Sequence, residues 1–244
     1  MNKGSNSTMN LDQISIDNSL VQLFNSQGYL VVENILSKDR INSLMTETDE
    51  IISKPTIPYA KALRSGYQSN WGVFSDHVGG IASQGQALAA LQSDEEVLQL
   101  ATALTGGPVN AIGLSMQVMF GQCGCKQPWH QDHTPGDPKL KWINCVYYLT
   151  DMNEDNGSLL VLPGTQNIPL TKKHPDYGLV PGAIRICCPA GSAVFFTNGL
   201  LHAVDENRTT NTRRGLKVNY VQVGMDLFIL HEQRYSRGVR RGDG

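Results

Sequence analysis

Pro128-Trp129-His130-Gln131-Asp132-His133 stands just before a Pro/Gly-rich loop. On an extended backbone, positions i and i+2 project to the same side, so His130 and Asp132 could grip one metal ion between an imidazole and a carboxylate. A His-x-Asp pair is common by chance in a chain with six histidines and does not by itself mark a site. Two further features raise its weight. A β-patterned run from Gly191 to Ala203 leads to His202, a third candidate ligand, and Arg213 opens the alternating run Arg213-Arg214-Gly215-Leu216-Lys217-Val218-Asn219-Tyr220. If 204–212 forms a loop that folds the second strand beside the first, Arg213 returns close to the metal. Its guanidinium could then pair with one carboxylate of a small dianion whose other end chelates the ion. Two imidazoles and a carboxylate on one face of an octahedral ion leave three adjacent positions open, enough for a bidentate 2-oxo acid and O2. This is the arrangement of non-haem Fe(II) oxygenases.

The elements that must position these residues follow from periodicity. After Asp17, Leu20, Val21, Leu23 and Phe24 have helical spacing, and Gly28 stops that helix before a strand over 29–32. Ser37 is suited to cap a second helix carrying Ile41, Leu44, Ile51 and Ile52 inward. A third helix is predicted over Ala87 to Leu104, ending at Gly106-Gly107. From residue 110 the apolar runs shorten and alternate between Gly, Pro and Asn/Asp turns, which predicts strands near 111–120, 142–149, 158–162, 183–187, 192–197 and 213–223. Helices first and strands after argue for a β-sandwich or barrel with helices packed outside it, a single domain over 16–230. The polar run 1–15 and the Arg/Gly-rich 231–244 are expected to be flexible termini.

Composition narrows the function. The 244 residues carry a formal charge of -2, which disfavours nucleic acid and other polyanions as partners. The first residues hold no apolar stretch of signal-peptide kind and no later segment approaches a membrane span, so the chain is expected to be cytoplasmic and free of membranes. Five cysteines in that setting argue against a disulfide framework, and the Asn-x-Ser/Thr triplets at Asn6, Asn156 and Asn207 are read as accidental.

Several motifs together resemble the phytanoyl-CoA dioxygenase family of Fe(II)/2-oxoglutarate oxygenases. They are GYLVVENILS after the first helix, the WHQD box, DMNEDNGSLLVLPGTQ, and GSAVFFTNGLLHAV followed by RRGLKVNY, in this order along most of the folded chain. The resemblance implies a double-stranded β-helix, that is, a cupin-like jelly-roll barrel that is mainly β with flanking helices, with the iron at its mouth. It assigns iron to His130, Asp132 and His202, and the distal carboxylate of 2-oxoglutarate to Arg213. Arg213 is preferred to Arg214 because alternation sends Arg214 to the opposite face. Asn144, facing inward with Val146, is expected to touch 2-oxoglutarate or substrate. Halogenase-like relatives replace the carboxylate ligand by Gly or Ala, so the presence of Asp132 implies oxygen transfer. The implied reaction couples oxidative decarboxylation of 2-oxoglutarate, to succinate and CO2, to hydroxylation of a small molecule such as an amino acid, an organic acid or a natural-product intermediate. O2 is the oxidant. Lys61, Arg64, Trp71 and His77 are substrate-side candidates, in a region where relatives line the site.

Other readings stand beside this one. The same iron site could perform desaturation, cyclisation or epimerisation, or the chain could be a non-catalytic metal-binding jelly-roll sensor or scaffold. Cys123, Cys125, His130 and His133 have spacing compatible with zinc, which would leave Asp132, His202 and Arg213 without a role. Gln131 is expected to be a support, Trp129 and Tyr148 core or wall residues, and Cys187 and Cys188 one core and one surface thiol. The Arg-rich tail could close over an anionic substrate. The sequence leaves the oligomeric state open.

Overall fold

The computed structural model describes residues 8–10, 16–53, 73–75, 81–122, 124, 126–132, 142–169 and 178–224. Along the chain they form β1 (Thr8–Asn10), α1 (Asn18–Gln27), β2 (Tyr29–Glu33), α2 (Lys38–Ser53), β3 (Val73–Ser75), a 3-10 turn (Ile81–Gln84), α3 (Gln86–Ala90) and α4 (Glu95–Thr105). The strands β4 (Val109–Met119), β5 (Gln127–His130), β6 (Trp142–Tyr148), β7 (Leu159–Leu162), β8 (Ile184–Arg185), β9 (Ala193–Thr197), β10 (Leu201–Val204) and β11 (Arg213–Gln222) follow. The larger sheet runs β1-β2-β9-β6-β11-β4-β3 and the smaller one β5-β10-β7-β8. From β4 to β11 the chain passes back and forth between the two sheets, with β7 and β8 both in the smaller one, the wiring of a jelly roll.

Alternation within the strands divides the apolar residues into two layers. Cys145, Tyr147, Phe195, Leu216, Val218 and Tyr220 pack with the helices against the outer face of the large sheet. Val146, Tyr148, Val194, Phe196, Val161 and Val204 fill the space between the sheets. Asp17 caps α1 by accepting from the Ser19 and Leu20 amides, and Gly28 ends it at φ 81°, a left-handed turn that glycine adopts without strain. That turn leads straight into β2, whose Tyr29 pairs with Phe196 of β9.

Three local expectations change. The continuous helix over 87–104 is two helices, because the Asp94 side chain accepts from the Val97 amide and starts α4 as a new N-cap. Thr8–Asn10 lies parallel to β2, although 1–15 reads as a flexible terminus; backbone pairing at a sheet edge needs no apolar side chain. The strand expected over 183–187 shortens to Ile184–Arg185, paired with Val161 and Leu160. Among the described residues no helix is long and apolar enough to cross a membrane.

Candidate metal centre

His130 ends β5 and His202 sits in β10, and the antiparallel register places the two directly opposite each other. Residues opposite in such a pair project to the same face with their Cβ atoms about 4.5–5.5 Å apart, and the two rings stand 4.2 Å apart between centroids. Asp132, two residues on, brings a carboxylate oxygen to 3.8 Å from His130 Nε2. One ligand atom from each of His130, Asp132 and His202 falls within 4.8 Å of the others.

The hydrogen bonds around this cluster prepare it for a cation. His130 Nδ1 lies 2.8 Å from Pro128 O, and His202 Nδ1 lies 2.9 Å from Leu200 O. A carbonyl only accepts, so each Nδ1 carries a proton and Nε2 is the nitrogen left to face a metal. Burial, reinforced by the nearby His130, depresses the His202 pKa to about 3, so the imidazole is neutral at pH 7. For Asp132, burial pushes the carboxyl upward, but Lys217 and the two imidazoles outweigh it and hold the group well below the usual carboxylate range. An ionised carboxylate and two imidazoles oriented by their Nδ1 bonds fit Fe(II) or a similar first-row divalent ion.

Asn144 on β6 donates from Nδ2 to Asp132 Oδ2 at 2.8 Å, and Lys217 Nζ on β11 lies 3.3 Å from the same oxygen. Asn144, expected to touch 2-oxoglutarate or substrate, also donates to a metal-ligand candidate, and its Oδ1 is buried without a partner. Gln131 is the support it was expected to be. Its Nε2 donates to Gly199 O at 2.6 Å and Ile168 O at 2.9 Å, tying the loop after β5 to the turn before β10. Trp129 points to the other side of the small sheet, buried against Leu160, Leu201 and Ala203, with its indole N–H on Gly178 O.

Arg213 and Arg214 face opposite ways. Arg213 is 2% exposed and projects between the sheets. It donates to Gly157 O at 3.0 Å, lies 5.4 Å above the Tyr148 ring, and has a buried Nε with no partner. Arg214 points to the helical side, where it binds Asp49 at 2.8 Å, Thr48 Oγ1 at 2.8 Å and Met45 O. Lys217 was not singled out from the sequence, although alternation from Arg213 through Gly215 places it on the same inner face. Lys61, Arg64, Trp71 and His77 lie outside the described residues, as do Cys123, Cys125 and His133 of the zinc alternative and the Arg-rich tail.

The model of the phytanoyl-CoA dioxygenase family matches residues 24–215, a span containing the triad, Asn144 and Arg213. The chain belongs to the phytanoyl-CoA dioxygenase family. The ectoine dioxygenase of Stutzerimonas stutzeri is 26% identical over 251 residues, covering 87% of this chain and 79% of that one. The L-proline trans-4-hydroxylase of Streptomyces griseoviridis is 27% identical over 157 residues, covering 51% and 59%. The crystal structure of EctD from S. alaskensis with 2-oxoglutarate and 5-hydroxyectoine superposes with a TM-score of 0.72 at 24% identity, covering 86% and 77%. The expected jelly-roll fold is the fold observed. This member of the phytanoyl-CoA dioxygenase family is an Fe(II)- and 2-oxoglutarate-dependent dioxygenase, an oxidoreductase with O2 as its other co-substrate.

Proposed function

We propose that the enzyme hydroxylates a small polar molecule at the open end of the barrel, with Fe(II) held by His130, Asp132 and His202 and the distal carboxylate of 2-oxoglutarate held by Arg213. Arg213 carries this reading. A buried guanidinium costs several kcal/mol in desolvation unless an anion compensates it, and among the described residues no acidic side chain pairs with it. Burial depresses its pKa but leaves an arginine charged at pH 7. A dicarboxylate reaching from the metal cluster to Arg213 supplies the missing negative charge.

The balanced reaction takes a C–H bond, 2-oxoglutarate and O2 to a C–OH group, succinate and CO2. When bound, the iron supplies the redox chemistry that couples loss of CO2 to transfer of one oxygen atom. The protein's contribution is placement. The backbone carbonyls of Pro128 and Leu200 fix the two imidazoles. Asn144 and Lys217 hold the outer oxygen of Asp132 and leave the other oxygen directed at the histidines. Phe196, 2% exposed and with its ring 4.8 Å from His202, excludes water from that side of the cluster.

The relatives named for ectoine and L-proline make these two compounds the first substrates to try, together with a wider set of amino acids and organic acids. With Fe(II), 2-oxoglutarate and air, a substrate is expected to raise succinate release and to yield one product heavier by a single oxygen atom. Asp132→Ala is expected to abolish both signals. Full activity in Asp132→Ala would reject the triad and return His130 to the cysteine-containing cluster.

A further inference from the structure

Lys217 steadies Asp132 from the inner face of β11 and is not itself a ligand candidate for metal. It follows Arg213 by four residues on β11, with Gly215 between them contributing no side chain to the same face. A Cβ at Gly215 would lie 3.2 Å from Tyr147 O and 3.4 Å from both Tyr148 and Val146, so the strands close tightly there. One residue beyond Lys217 the pairing of β11 with β4 shifts register: Lys217 faces Ser115 and Asn219 faces Ile112, so β4 carries one extra residue. Such bulges re-aim side chains beside active sites.

The charges around Lys217 are unbalanced. Its ammonium lies 3.3 Å from the outer oxygen of Asp132, and 19% of its side chain is exposed, whereas Arg213 is 2% exposed. A single positive charge beside a divalent-cation site is unfavourable by simple Coulomb repulsion. Among the described residues that project into this space, one carboxylate faces two cations. A divalent ion on the triad adds two positive charges and 2-oxoglutarate brings two negative ones. Counting the described residues and these two ligands, one positive charge is left over, and Lys217 is the more exposed of the two cations.

Resting on the proposed iron and 2-oxoglutarate site, we propose that Lys217 is the specificity-determining contact for a carboxylate on the primary substrate, which is therefore an anionic or zwitterionic small molecule. One N–H of the ammonium stays on Asp132 Oδ2 and the other two face the incoming carboxylate. The substrate's charge thereby meets the cation only 3.3 Å from a metal ligand. This sets how far from its own carboxylate the oxidised C–H bond can lie.

The test compares wild type, Lys217→Met and Lys217→Arg on a panel of amino acids, L-proline included, each paired with its carboxamide. Succinate release is read against compound concentration. In parallel, 2-oxoglutarate binding to the Co(II)-loaded protein is measured by calorimetry. Compounds that accelerate succinate release are expected to do so as carboxylates and not as carboxamides. Lys217→Met is expected to raise their half-saturating concentration by about 30-fold or more, the loss typical of truncating one partner of a buried charge pair. Lys217→Arg, which keeps a charged donor to Asp132, is expected to recover most of that loss and to move the 2-oxoglutarate dissociation constant by only about three-fold, a small change beside the first. Equal response to acids and amides, no accelerating carboxylate, or an unchanged Lys217→Met overturns the inference. A Lys217→Met loss confined to 2-oxoglutarate affinity, with the half-saturating substrate concentration unchanged, assigns the lysine to the metal and co-substrate site alone and also overturns it. Wild type that binds no 2-oxoglutarate overturns the proposed function itself.

Discussion

Arg213 has a full charge in surroundings that offer it one backbone carbonyl and one aromatic face. If its anion is 2-oxoglutarate, Arg213→Ala is expected to raise the 2-oxoglutarate concentration for half-maximal turnover by about 30-fold or more. Co(II) affinity should stay close to wild type, and an unchanged 2-oxoglutarate requirement would move the clamp elsewhere. His202 makes a different prediction. Its pKa of about 3 in the fold lies below the unfolded value of 6.5, so between those values the unfolded chain binds more protons. Metal-free protein should therefore lose stability as pH falls from 6.5 toward 3, with this residue contributing at most about 1.4 kcal/mol per pH unit. Urea midpoints at several pH values check this, and His202→Gln should flatten the slope; the same slope in the variant would assign it to other groups.

At this scale the triad was legible because ligand chemistry restricts residue type and an extended backbone restricts spacing. The opposite facing of Arg213 and Arg214 followed from alternation alone. Lys217 was not legible by type, since a lysine in a strand is usually solvated, and only the return of β11 beside Asp132 shows its use. Asn144 was placed on the correct face, but its bond to Asp132 was not foreseen. Which oxygen its amide reaches depends on the turn after β5, and nothing local to β6 encodes that.

Among the elements, β11 is the one that ties the site to the helical layer. Arg214 reaches across to α2, donating to Thr48 Oγ1 and Met45 O and pairing with Asp49. Arg214→Met is expected to destabilise the protein by about 1–3 kcal/mol, because the buried Thr48 hydroxyl and the Met45 carbonyl lose a charged donor. Binding of 2-oxoglutarate at 25 °C should remain within a few-fold of wild type, about the change expected when a contact outside the pocket is lost. Equal damage to co-substrate binding would show that the two arginines act together. The pairing of β5 with β10 was less legible than β11. Each is four residues long, and neither has an alternating run long enough to stand out beside its loops. The break between α3 and α4 was hidden for another reason. Leu88, Leu91 and Val97 keep an inward apolar pattern through the interruption, and only the Asp94 cap marks the new helix.

In the whole molecule, the large sheet separates a helix-packed apolar core from the inter-sheet layer that holds the site. Order along the chain, helices first and then strands, made this architecture legible before any coordinates. Because the metal and 2-oxoglutarate bind only the folded barrel, saturating both is expected to stabilise it by mass action. A ligand at 100 times its dissociation constant contributes about 2.7 kcal/mol, a rise in Tm of about 5–10 °C for a chain of this size. Arg213→Ala should keep the increment due to metal and lose the one due to 2-oxoglutarate. The central claim, that one site chelates iron and a 2-oxo acid together, is tested most directly by the visible spectrum of the anaerobic protein with Fe(II) and 2-oxoglutarate. A weak metal-to-ligand charge-transfer band that requires both additions and disappears in His202→Ala is the predicted result. No such band, in a protein that instead retains tightly bound zinc, would contradict it.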